Sequence, residues 1–167
     1  MPRYTSYPTA PHFGPSVGAN TYASWLEDLS KSKTLSLYLH VPFCEQLCLY
    51  CGCHTKAVRQ PEPVEAYAER LIQEIELVAV RAGCRRVVHL HWGGGTPSIF
   101  GPKRLREIVA QLDVCFDLTE LCEHAIELDP RHVTKALACA LADICVSRVS
   151  LGVQDFSPEV QKNINRV

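Results

Sequence analysis

The feature that most limits how this chain can fold is an alternation of short strand-like runs with longer helical segments. The run 34–40 places Leu35, Leu37 and Leu39 on one face and Ser36, Tyr38 and His40 on the other, the period of two of a half-buried strand. Pro42 ends it. Further strands are expected at 86–92, stopped by a run of glycines, at 123–128, ended by Asp129-Pro130, and at 148–153. Between them, Val64, Tyr67, Leu71, Ile75, Val78 and Ala82 recur at helical spacing in 63–82, and similar patterns mark 102–116 and 133–144. Successive strands start 25 or more residues apart, too far for hairpins but suited to helical crossovers, so the sheet is expected to be parallel and the fold class α/β.

A short helix is expected over 21–30, with Tyr22, Trp25, Leu26 and Leu29 sharing a face. Residues 1–16 hold four of the 11 prolines and read as an irregular arm. The division is therefore an arm and short helix over 1–33 and a core domain over 34–167. Ser157-Pro158 starts a last helix, expected to run to the end of the chain without a capping signal. Four parallel strands neither close a barrel nor cover their own edges, so the core is expected to be incomplete at its C-terminus.

With 47% hydrophobic and 21% charged residues, the 167-residue chain is globular, long enough to bury roughly two thirds of its unfolded surface. A formal net charge of −1 points to neither nucleic acid nor an anionic membrane. No apolar run approaches the ~20 residues of a membrane helix, and the N-terminus lacks the apolar stretch of a secretory signal. The expected compartment is the cytoplasm.

In parallel α/β folds, function gathers at the C-terminal ends of the strands. Here those ends carry a cysteine cluster, then Gly93-Gly94-Gly95-Thr96-Pro97, then Glu127, then Gln154-Asp155. Nine cysteines make a poor disulfide framework, being odd in number. Four of them fall at Cys44-x3-Cys48-x2-Cys51-x-Cys53. Soft thiolates this close on one loop can converge on one metal centre. An iron–sulfur cluster is the leading reading; zinc and a redox thiol pair are the alternatives, though structural zinc usually draws a second ligand pair from elsewhere. Three cysteines on a four-iron cluster would leave one iron open for chemistry. The other five cysteines are expected to be mostly small buried hydrophobes. The glycine run suits close backbone approach to a ligand with exposed N–H donors. Glu127 and Gln154 alone would pass for strand-end caps, His89 and His91 for core histidines, while Tyr38 can point toward the cluster.

The three-cysteine loop with Tyr50 before Cys51, and the Gly93–Pro97 motif, resemble radical S-adenosylmethionine enzymes. More narrowly, Pro2-Arg3-Tyr4-Thr5-Ser6-Tyr7-Pro8-Thr9, Cys53 and Leu151-Gly152-Val153-Gln154-Asp155-Phe156 resemble the oxygen-independent coproporphyrinogen III oxidases. The resemblance implies the first four βα units of a partial (β/α)6 barrel. It implies that Cys44, Cys48 and Cys51 hold a 4Fe-4S cluster that binds S-adenosylmethionine at its fourth iron, with Cys53 not a ligand. It implies contacts from Tyr38, Gly94 and Glu127 to that molecule, and from Tyr50, Gly95, Thr96, Gln154 and Arg166 to a second S-adenosylmethionine. The implied reaction converts two propionates of coproporphyrinogen III to vinyl groups, with an electron donor and an acceptor of unstated identity, in a monomer. Arg3 is a candidate partner for a substrate propionate. Family members are longer, so the chain is expected to be a fragment that does not turn over alone. A haem-binding chaperone of the same subgroup and a zinc-stabilised module are the other readings.

Overall fold

A computed structural model of the protein describes residues 10–29 and 33–167; the Pro2–Thr9 motif and Arg3 lie outside the described residues. Strand β1 (Leu35–Val41) is followed by two short strands, β2 (Phe43–Cys44) and β3 (Lys56–Ala57), which pair in parallel and pinch the cysteine loop at its base. Then come β4 (Val87–Gly94), β5 (Glu123–Leu128) and β6 (Arg148–Leu151). The helices are α1 (Ala19–Glu27), α2 (Glu62–Arg81), α3 (Gly101–Cys115), α4 (Lys135–Asp143) and α5 (Pro158–Asn163).

The main sheet has the order β1-β4-β5-β6, all parallel. A doubly wound sheet reverses direction at a switch point. Here every crossover steps the same way, which is how a barrel wall winds.

Register sorts the side chains into two faces. Leu39, Trp92 and Ile126 lie side by side on one of them, and the helices cover it. Helix α2 contributes Val64, Leu71 and Ile75 of its expected stripe together with Ala68 and Ala79, while Tyr67 and Val78 are only partly buried; α3 adds Leu105, Ile108 and Leu112, and α4 adds Leu137, Ala140 and Leu141. Each large side chain buried this way is worth about 1.5–3 kcal/mol. The other face is polar: Ser36, His89 and Glu123 align across it, then Tyr38, His91, Ala125 and Arg148.

Several expectations need correction. Strand β4 continues through Gly93 and Gly94, because β1 extends to Val41 and offers both of them partners. His89 and His91 are not core histidines. They alternate with buried Leu90 and Trp92, so they share the polar face with Tyr38. The buried histidine is His124. Of the scattered cysteines only Cys84 is buried, while Cys122, Cys139 and Cys145 are exposed. Helix α5 does not run to the chain end. It stops at Asn163, and Asn165 turns the backbone with φ +55°. The amides of Asn165 and Arg166 then bond back to the carbonyls of Lys162 and Gln161. That is a Schellman cap with asparagine in the left-handed position, a signal the sequence carried.

All four β6 residues are exposed, and Leu151 and Phe156 remain 52% and 87% accessible. Among the described residues, no helix is long and apolar enough to cross a membrane.

Candidate metal and cofactor site

The cysteine loop leaves β1 at Pro42 and returns through β3, where Lys56 N–H donates to the Pro42 carbonyl and Val58 N–H to that of Cys44. Its sulfurs open onto a cavity of about 410 Å³ at the C-terminal ends of the strands. Cys44, Cys48 and Cys51 line it together with Gly94, Gly95 and Thr96. Tyr50, Cys53, Glu127, Asp129, Gln154 and Arg166 also line it. All of the expected site residues except Tyr38 thus meet in one space.

Tyr38 stands next to it, on the polar face of β1. A Cβ on Gly93 would come within 3.0 Å of the Tyr38 hydroxyl and 3.2 Å of Glu127 Oε2, so a glycine is what lets those groups approach. Tyr38 also stacks on His91, with ring centroids 5.7 Å apart, and its hydroxyl lies 3.1 Å from His40 Nδ1. His91 Nε2 in turn lies 3.4 Å from Glu127 Oε1. Burial, with the Glu127 carboxylate adding to it, pushes the Tyr38 phenol up.

The glycine turn works differently from the expectation. The amides of Gly95 and Thr96 are not free donors, because they bond to the carbonyls of Val41 at 2.7 Å and Phe43 at 2.8 Å. Gly95 permits backbone-on-backbone packing: a Cβ there would lie 2.4 Å from the Phe43 carbonyl oxygen. The result places the Thr96 hydroxyl 3.4 Å from Cys44 Sγ, where it donates.

On the opposite wall, Arg166 donates to Cys48 Sγ at 3.1 Å, to Asp129 Oδ2 at 2.8 Å and to the Gly152 carbonyl. Gln154 reaches the cavity with φ +71°, a left-handed backbone that costs a non-glycine residue about 1–2 kcal/mol and recurs at functional sites. Burial pushes the Asp129 carboxyl up, but hydrogen bonds from the Arg131 side chain and amide, and the charge of Arg166, hold it below the usual carboxylate range. Burial and a hydrogen bond with Cys48 push the Tyr50 phenol up. Burial, with Cys51 beside it, does the same to the Cys53 thiol.

Asp129, Arg131, His40 and Asn165 also stand at the site, though no sequence motif singles them out as site residues. Asp129-Pro130 reads from sequence only as a strand stop, whereas Asn165 after the last helix is a C-cap signal.

Four soft thiols on one loop, those of Cys44, Cys48, Cys51 and Cys53, line one cavity and form a donor set for a metal centre. Among the described residues, no three His, Cys, Asp or Glu side chains converge on a single ion position. Soft thiolates suit an iron–sulfur cluster, whose cysteines bind different irons.

Comparison with known proteins agrees with this chemistry. A solved structure described as coproporphyrinogen III oxidase (HemN) from Escherichia coli, a radical SAM enzyme, superposes with a TM-score of 0.88 at 38% identity, over 98% of this chain and 38% of that one. The oxygen-independent coproporphyrinogen III oxidase of Bradyrhizobium diazoefficiens is 49% identical over 100% of this chain, and that of Paracoccus denitrificans 44% identical over 99%. The chain spans 37% of the length of each of these two relatives. The family model of the radical SAM superfamily matches residues 38–167, the span that carries the thiol loop, the glycine turn and Arg166. The chain belongs to the radical SAM superfamily.

Proposed function

We propose that the chain carries the cluster and S-adenosylmethionine sites of an oxygen-independent coproporphyrinogen III oxidase, converting coproporphyrinogen III to protoporphyrinogen IX. One observation carries the reading: the three-cysteine loop, the glycine turn, Glu127, Gln154 and Arg166 share one cavity at the ends of adjacent parallel strands. The names of the relatives, oxygen-independent coproporphyrinogen III oxidase, supply the substrate and the oxidation.

In this reading Cys44, Cys48 and Cys51 hold a 4Fe-4S cluster, and Tyr38, Gly94 and Glu127 contact the S-adenosylmethionine on its open iron. The Glu127 carboxylate is an acceptor for that molecule's amino or hydroxyl groups, with the Tyr38 hydroxyl close beside it. Tyr50, Gly95, Thr96, Gln154 and Arg166 contact a second S-adenosylmethionine. Arg166 offers that molecule's carboxylate its charge and a remaining Nη2 N–H, its other donors being taken by Asp129, Cys48 and Gly152. A cluster bound there and reduced would supply the electron for cleaving S-adenosylmethionine, and with it the hydrogen-abstracting chemistry needed at the propionate β-carbon from which carbon dioxide is lost. The protein's own part is to hold these groups in register and to exclude water and oxygen. An external electron donor and an acceptor complete the balance, and the setting is a cytoplasmic monomer.

Anaerobic reconstitution with iron and sulfide, followed by electron paramagnetic resonance of the reduced sample, tests the reading. A reduced-cluster signal that changes on adding S-adenosylmethionine is the expected result. Folded protein that takes up no iron, or one equivalent of zinc in its place, would overturn it.

A further inference from the structure

Five consecutive residues of the cysteine loop are each held by a later part of the chain. Glu45 faces His132 at 3.4 Å, and Gln46 Oε1 accepts from Arg131 at 3.1 Å. The Leu47 carbonyl accepts from Asn165 Nδ2 at 2.7 Å, and Cys48 Sγ accepts from Arg166 at 3.1 Å. Leu49 N–H donates to the Ile164 carbonyl at 3.1 Å. These partners come from two places, the turn Pro130–His132 after β5 and the capped end of α5.

One side chain joins the two. Asp129 is 5% exposed, and its Oδ2 accepts from both Arg131 Nη2 at 2.7 Å and Arg166 Nη1 at 2.8 Å. Its Oδ1 takes the Arg131 amide at 3.0 Å. A buried carboxylate is tolerated only when paired, and here two guanidiniums pair it. The constraint also runs the other way. A guanidinium is a rigid fork of five donors, so anchoring part of it on Asp129 sets where the remaining donors point. For Arg131 that is Gln46; for Arg166 it is the Gly152 carbonyl and the Cys48 sulfur.

We propose that Asp129 is a positioning residue for the metal centre: through Arg131 and Arg166 it holds the loop in ligand-ready shape before iron arrives and keeps an Arg166 N–H on the Cys48 sulfur. The proposal rests on the cluster reading above. Hydrogen bonds to cluster sulfurs and nearby positive charge favour the more negative, reduced state, so this arrangement raises the reduction potential.

The test uses Asp129→Asn in the full chain with two readouts. In the metal-free protein, hydrogen exchange at the Leu49 amide reports loop order; it is expected to speed up by roughly tenfold or more as the loop opens locally. In the reconstituted protein, the midpoint potential is expected to shift negative. Arg166→Gln is expected to do the same, and in its background Asp129→Asn adds no further negative shift, as coupled residues require. Unchanged exchange in folded Asp129→Asn would overturn the proposal. So would a positive shift in potential, which is what removing a bystander negative charge produces. If Asp129→Asn does not fold, Arg166→Lys decides, since it keeps the charge and the Asp129–Arg131 pair but loses the fork. Faster Leu49 exchange and a negative shift then support the proposal, and unaltered values overturn it. Failure of the wild-type chain to form any cluster would count against the proposed function, while the exchange readout would still judge the clamp.

Discussion

The indole N–H of Trp92 donates to His124 Nε2 across 2.9 Å in the core, and that contact fixes the tautomer of the imidazole. With Nε2 accepting, the ring proton sits on Nδ1 and donates to the Ile144 carbonyl at 3.0 Å. One neutral histidine thereby ties β4, β5 and the end of α4 together. Both ring nitrogens are satisfied, as a buried polar group requires.

Acid is expected to weaken the fold through this residue. Burial lowers the His124 pKa from its ordinary 6.5, outweighing the hydrogen bond to Ile144, which raises it. Below that value the unfolded chain takes up a proton that the folded chain refuses. Stability therefore rises with pH through this window and falls on acidification from about 6.5 down to the folded-state value. Urea unfolding midpoints at pH 7.5 and 5.5, compared between wild type and His124→Gln, check this. The variant is expected to lose part of the acid sensitivity, and an identical pH slope would remove His124 as its source.

Trp92→Phe leaves His124 Nε2 without its donor in a site that water does not reach, as both residues are almost fully buried. An orphaned buried acceptor costs about 1–3 kcal/mol, and the smaller ring adds a packing loss. Because both residues share one bond, Trp92→Phe and His124→Gln are expected to be non-additive by about 0.5 kcal/mol or more in a double-mutant cycle. Strict additivity would mean that the bond contributes nothing.

Cys145 is the left-handed residue of the cap that ends α4. Its φ is +57°, and the amides of Cys145 and Val146 bond back to the carbonyls of Ala142 and Leu141. A Cβ in that conformation costs about 1–2 kcal/mol, whereas glycine is at ease there. Cys145→Gly is expected to stabilise the chain, the relief of strain exceeding glycine's extra unfolded-state entropy of about 0.5–1 kcal/mol. A thermal midpoint raised by about 1–3 °C is the readout; a lowered midpoint would mean that the thiol has a packing role.

What the sequence disclosed follows from what each signal measures. Periodicity reports which face is buried, so β5 appears at the expected bounds and α2 within a residue of them. The same logic locates His124 once Glu123, Ala125 and Glu127 are placed together on the polar face, leaving His124 opposite with Ile126. Spacing gathered the cysteines into one loop and strand ends gathered the site. Neither could show that the Gly95 and Thr96 amides are already bonded, since that depends on the crossing of two chain segments. Asp129 escaped for the same reason: its partners Arg131 and Arg166 reach the loop only after the chain has folded back, and no local pattern encodes that meeting.

Gly95 in the site and Gly101 at the start of α3 are expected to respond to alanine with similar losses of stability but different iron uptake. At Gly95 a methyl group would lie 2.4 Å from the Phe43 carbonyl oxygen and 2.8 Å from its carbon. Backbone cannot swing aside as a side chain can, so the Gly95–Val41 and Thr96–Phe43 hydrogen bonds must part. Thr96 then carries its hydroxyl away from Cys44 Sγ. Gly95→Ala is expected to cost about 1–3 kcal/mol, the usual penalty of overpacking, and to lower iron uptake on anaerobic reconstitution. At Gly101, by contrast, nothing stands within 4 Å of the added methyl, and the residue needs glycine only because its φ is +71°. Gly101→Ala is expected to cost about 1–2 kcal/mol through backbone strain while taking up iron as the wild type does. Iron per chain and the urea midpoint, measured on both variants, separate the two effects. Equal iron uptake at equal stability loss would show that the Gly95 contact serves the fold alone and leaves the thiol loop untouched.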